Sequence, residues 1–144
     1  MRLPVLLSVP HAGLRVPSEV KQLCVLTDRQ IVEDGDEGAA AIYNVASEVE
    51  AFVTSDVARA VVDLNRAEDD RRRDGVVKTH TCWNVPVYNA PLPENVTEIL
   101  LDRYHRPYHQ RLSTLGMSGQ FRLAIDCHTM AATGPPVGPD PGKE

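Results

Sequence analysis

A chain of 144 residues is long enough for one domain with its own core. Its net charge of −5 excludes the basic footprint that nucleic acid demands, and no apolar run approaches the ~20 residues of a membrane span. Neither nucleic acid nor membrane is therefore expected as a partner, and the basic run Arg71-Arg72-Arg73, ringed by Glu68, Asp69, Asp70 and Asp74, reads as a solvated loop.

Residues 3–9 (LPVLLSV) form a nearly continuous apolar run that predicts a strand buried on both faces, not a signal peptide, since the basic start and cleavage site are missing. Pro10 stops the strand and Gly13 permits a tight turn, so His11 stands just past the strand's C-terminal end. Pro17 to Val20 can open a short helix, and Thr27 can cap another. Residues 33–38 gather four acids and two glycines. Apolar residues at Ala41, Ile42, Val45 and Val49 then predict an amphipathic helix over 37–50, started by Asp36 or a neighbour. Residues 51–54 and 60–64 read as strands separated by a turn at Ser55-Asp56.

Residues 67–93 read as a long loop with a short hairpin around 80–88. Asn95 with Glu98 resembles a capping box, and apolar residues at helical spacing from Val96 to Leu115 predict a helix kinked by Pro107 and ended by Gly116 and Gly119. The chain then reaches 121–130 (FRLAIDCHTM), which reads as a buried strand delivering Asp126 and His128 to one place. No internal repeat and no second domain is evident, so the expectation is one α/β domain over 1–144. Three cysteines, Cys24, Cys82 and Cys127, form no CxxC pair and suit a reducing cytoplasm.

Three constellations carry chemistry. Two histidines at strand ends, His11 and His128, with an acid from the 33–37 cluster, satisfy the three protein ligands of a catalytic zinc site; the competing role is hydrogen-bonded capping of a strand. His105 and His109 share one helix face beside Tyr104 and Tyr108, either lining a site as donors or facing solvent. Arg106 follows His105 where the HExxH metalloprotease helix has Glu, which argues against that class. Arg59, Asp63, Asn65 and Arg66 are either an anchor for an anionic substrate or surface salt bridges of little weight. A nucleophilic Cys127 is weak, because neighbours on a strand point to opposite faces and Cys127 then packs in the core.

Five segments, SVPHAG over 8–13, DEGA over 36–39, RAVVDLNR over 59–66, YHRPYH over 104–109 and DCHTM over 126–130, occur in an order that resembles the N-formylglutamate amidohydrolase family from about residue 5 to about residue 138. The resemblance implies a three-layer αβα fold with a mixed central sheet, zinc-peptidase-like (phosphorylase/hydrolase-like). It implies metal-dependent hydrolysis of N-formyl-L-glutamate or a related N-acyl amino acid, a small anionic substrate, with one divalent metal, zinc first. It assigns the metal to His11, Asp36 and His128, Asp36 being chosen over Asp34 and Glu37. Arg59, Arg66 and Asn65 fall to the substrate, His105 and His109 to catalysis, and Asp126 is left either to orient an imidazole from behind or to hold substrate. The carboxypeptidase pattern of Glu three residues after the first His is not met, that position being Leu14. Family members run on past the DCH motif into a part that carries the glutamate expected as general base. The chain is therefore expected to be a domain truncated after that motif, with open strand edges that favour a homo-oligomer. The alternative is a metal- or ligand-binding domain that lacks the base and is catalytically inactive.

Overall fold

The computed structural model describes residues 1–137; the expectations for the last residues, 138–144, lie outside them. Three strands form one sheet in the order β2-β1-β3: β1 is Leu3–Val9, β2 is Val49–Thr54 and β3 is Leu123–Asp126. Both pairings are parallel, so the described sheet is a small parallel one where a mixed sheet was expected. β1 is central, which is why its sequence is apolar without alternation. One of its faces sends Leu6 into a core with Ile31, Val53, Leu64 and Leu100, while Leu7 and Val9 join Ala39, Val49 and Cys127. Cys127 is a packing residue, as expected.

β3 departs from its reading as a buried strand. It pairs on one side only, and Leu123 and Ile125 are 54% and 39% exposed. Among the described residues nothing covers that end of the sheet.

The helix expected over 37–50 shrinks to α2, Ala39–Ile42, entered through Gly38 at φ 80°. Val49 instead opens β2 opposite Leu3, since a β-branched residue gains more from the sheet than from a helix end. Residues 60–64 form no strand. They make a buried turn whose Val62 bridges Val77, with the Asp63 amide donating to the Val76 carbonyl at 2.8 Å. Their apolarity reflects burial, which a strand and a buried turn share. Residues 17–20 form turns rather than a helix.

Helix α1, Asp28–Asp34, starts as expected at Thr27, which exchanges hydrogen bonds with Gln30. Residues 67–93 contain no helix or extended strand among the described residues, and a His80–Pro86 bridge closes the short hairpin. Helix α3, Glu94–Leu100, begins after Pro93 without a side-chain cap, so Asn95 is not its N-cap. The expected kink takes the form of a π-helical turn, Leu101–His105, that passes into α4, Arg106–Met117. Pro107 lacks an N–H and lies where the π-helical turn runs into α4, so the preceding turn goes without that donor and widens there. Gly116 is carried inside α4, and Gly119, at φ 69°, turns the chain toward β3.

Two features hold the loop that carries His11. A Cβ on Gly13 would stand 2.3 Å from the carbonyl carbon of Asp56, so only glycine lets the loop lie on the segment after β2. Beneath it, fully buried Lys78 places its ammonium 2.8 Å from Asp34 Oδ2 and 4.0 Å from Asp63 Oδ2. Asp34 also accepts the Cys82 amide at 2.7 Å. Removing one partner of such a group leaves uncompensated buried charge. Lys78→Ala is therefore expected to lower stability by about 3–5 kcal/mol, read as a fall in the urea midpoint. An unchanged midpoint would show that the cluster is not buried as described.

Candidate metal centre

The parallel sheet brings the C-terminal ends of β1 and β3 together, and each end delivers one imidazole. His11 follows β1 and His128 follows β3, with ring centroids 4.9 Å apart. Asp36 arrives from the end of α1, its amide donating to the His11 carbonyl at 3.3 Å. One ligand atom from each of His11, Asp36 and His128 lies within 4.8 Å of the other two. The other acids of the cluster go elsewhere: Asp34 is bound to Lys78, and Glu37 stands 3.3 Å from Arg29.

A carboxylate only accepts hydrogen bonds, which fixes the His11 tautomer. His11 Nε2 lies 2.7 Å from Asp63 Oδ1 and must carry the proton. Nδ1 is then a buried atom without a hydrogen-bond partner, 3.4 Å from Asp36 Oδ1. A lone pair and a carboxylate would oppose each other there, and a cation, whether a proton on Nδ1 or a metal ion, relieves that opposition. His128 also stands between two carboxylates, but both of its nitrogens are within hydrogen-bond distance of one, Nδ1 2.9 Å from Asp36 Oδ2 and Nε2 2.9 Å from Asp126 Oδ2. Each imidazole thus has a carboxylate behind it, the arrangement that orients metal-ligating histidines. Asp126 thus lies behind the His128 ring, and it also accepts from the Ser8 hydroxyl. The donor set of two imidazoles and one carboxylate suits zinc.

The fields within the group oppose burial. Burial pulls the His11 pKa down, but Asp36 and Asp63 outweigh it and leave it above its ordinary value. Burial likewise pushes Asp36 up, and His11 and His128 hold it below the usual carboxylate range. Asp63 is held well below that range against its burial, by His11, Arg59 and Lys78.

Arg59 lines a cleft of about 530 Å³ together with Asp36, Glu33, Trp83, Thr129 and Met130. Its Nε donates to Asp63 at 3.0 Å, and its Nη1 stands 3.9 Å from Asp36. Arg66 turns away from this cleft, with Nε 3.7 Å from Asp63 and Nη2 3.4 Å from Asp74. Asn65 places its amide nitrogen 3.4 Å from His128 Nε2. His105 and His109 stand apart from the three-residue group, each with Nε2 2.8 Å from a main-chain carbonyl, of Arg66 and Leu64 respectively.

Asp63 was expected as a partner of the two arginines, but its burial and its bond to His11 were not foreseen, and neither was the role of Lys78. Asp63 is 1% exposed, so its arginine pairs are not surface salt bridges. The signal available was its position inside an apolar run between two arginines, a place where a charge is buried only if paired. Burial pushes the Cys82 thiol up to about 12 and raises that of Cys127, which disfavours the thiolate that a nucleophile needs at both positions.

A sequence model of the N-formylglutamate amidohydrolase family matches residues 3–144. The chain is 30% identical to an N-formylglutamate deformylase of Pseudomonas putida, over 90% of this chain and 52% of that protein. It is 28% identical to the N-formylglutamate deformylase of Pseudomonas aeruginosa, over 90% of this chain and 53% of that protein. The crystal structure of an N-formylglutamate amidohydrolase from Ralstonia eutropha JMP134 superposes with a TM-score of 0.75 at 21% identity, covering 90% of this chain and 54% of that one. A gene product of Agrobacterium tumefaciens superposes with a TM-score of 0.71 at 20% identity, covering 88% and 52%. The chain spans about half the length of the curated relatives it matches. Over that span it belongs to the N-formylglutamate amidohydrolase family.

Proposed function

We propose that His11, Asp36 and His128 hold one divalent metal, zinc first, and that the site serves hydrolysis of the amide of N-formylglutamate or a related N-acyl amino acid. The observation that carries the reading is the buried, unpartnered Nδ1 of His11 facing Asp36. The curated relatives are named for deformylation of N-formylglutamate, which supports the substrate class. The proposed fold of the whole protein is the three-layer zinc-peptidase-like one. The three free thiols support a reducing compartment.

A metal held there supplies Lewis-acid polarisation of the amide carbonyl and acidifies water. The chain's own residues bind and orient. Asp63 and Asp126 hold the Nε2–H of the two imidazoles, so that both Nδ1 atoms face Asp36. Arg59 offers its guanidinium to a substrate carboxylate from the same cleft wall as Asp36. Arg66, expected beside it, is proposed instead to help neutralise Asp63 and Asp74. Hydrolysis breaks the C–N bond, leaves the acyl carbon as a carboxylate and protonates the amino nitrogen.

A second reading, a ligand-binding domain without turnover, is favoured by one observation. Glu33, which lines the cleft, and Glu37, four residues on, both pair with Arg29, at 2.7 and 3.3 Å. Both carboxylates are thus engaged by a guanidinium rather than turned toward the three-residue group. Formate release from N-formylglutamate, with the Pseudomonas putida relative as positive control, separates the two readings. Turnover supports the enzyme; zinc binding without turnover supports the binding domain.

Elemental analysis after dialysis against zinc is expected to give one equivalent per chain, and none in His11→Ala. Zinc retained by His11→Ala would remove the site. Asp63→Asn keeps the shape but loses the charge behind His11, and zinc affinity is expected to fall about 10–100-fold. A titration showing unchanged affinity would exclude that role for Asp63.

A further inference from the structure

Two imidazoles on one helix face are spent on main-chain carbonyls. His105 Nε2 lies 2.8 Å from the Arg66 carbonyl oxygen, and His109 Nε2 lies 2.8 Å from that of Leu64. A carbonyl only accepts, so each ring carries its proton on Nε2. His105 Nδ1 is buried without a partner, and a second N–H there would be an orphaned donor. The ring is therefore neutral, in keeping with burial that holds His105 below its ordinary pKa. The two rings pack with centroids 4.3 Å apart.

The helix is built to present them this way. His105 closes the π-helical turn and His109 lies in the first turns of α4. The wider π turn shifts the register between the two helical stretches, and such turns recur at functional positions. The carbonyls they hold flank Asn65. The Asn65 amide N–H donates to Asp63 Oδ1 at 3.0 Å, and that oxygen is the one that accepts from His11 Nε2. A chain of contacts runs from helix to turn, from turn to carboxylate, and from carboxylate to imidazole.

We infer that His105 and His109 are positioning residues, which clamp the turn at 64–66 and through Asp63 set the His11 ring with Nδ1 facing Asp36. The purpose of the clamp rests on the proposed metal centre, while the clamp itself is read on the metal-free chain. Neither histidine touches His11, Asp36 or His128, so they act through the turn.

Nitrogen-15 NMR of the imidazoles tests this on the unmodified, metal-free chain. His105 is expected as the neutral Nε2–H tautomer and His109 with its Nε2 protonated, both Nε2 protons exchanging slowly; an Nδ1–H tautomer in either overturns the clamp. Proton NMR then follows the His11 Nε2–H, expected far downfield against Asp63. H105F and H109F keep an aromatic ring but lose the donor. They are expected to lose that resonance and to weaken zinc binding about tenfold or more, while H105Q and H109Q, which keep an N–H at similar reach, restore both. Folded Phe variants that retain the resonance and the affinity overturn the proposal. If the unmodified chain takes up no zinc, the proposed metal centre fails and the tautomers and the His11 resonance alone decide the clamp.

Discussion

The carboxylate of Asp63 is a charge taken almost wholly out of water, and its partners are what make that tolerable. It accepts from His11, from Arg59 and from the Asn65 amide, with the Lys78 ammonium 4.0 Å away. Burying an ion costs several kcal/mol unless its partners are well placed, so each partner is held as firmly as the carboxylate itself. The His11 ring therefore has one orientation open to it. With Nε2–H committed to Asp63, Nδ1 can face only Asp36 and His128. The chemistry proposed for the site follows from this one contact.

The parallel sheet supplies the rest. Strands running the same way end on the same side, and β1 and β3 are neighbours, so residues just past their ends meet. Ser8 pairs with Asp126 in the register of the two strands, and the Ser8 hydroxyl donates to that carboxylate. The backbone ladder and the side-chain relay to His128 thus fix each other. The end of α1 sends two acids to different tasks: Asp34 turns inward to Lys78 and the Cys82 amide, and Asp36 reaches the imidazoles.

The sequence made His11 and His128 visible because an apolar run followed at once by a histidine marks a strand end. Asp36 was visible only through its motif, since Asp34 and Glu37 offer the same chemistry in the same five residues. What separated them was burial and partner, neither of which a sequence states. Asp63 was visible beside its arginines, but its place behind His11 was hidden, because its apolar neighbours suggested a strand with charged flanks whereas they line a buried turn. Arg66 matches a motif position, and its contacts with Asp74 and Asp63 could not be read from that position alone. His105 and His109 were legible as a pair but not as a clamp, because the carbonyls they hold lie some forty residues away in the chain. β3 was legible as a strand but not as an edge, since its apolarity says nothing of which side is paired.

The central claim is that this chain holds a metal between His11 Nδ1, Asp36 and His128 Nδ1. Diffraction from zinc-soaked crystals at the zinc absorption edge tests it most directly. The account predicts one anomalous peak bounded by those three side chains, with Asp63 and Asp126 still bonded to the far nitrogens. No peak there, or zinc on the Nε2 side of His11 in place of its bond to Asp63, would contradict it.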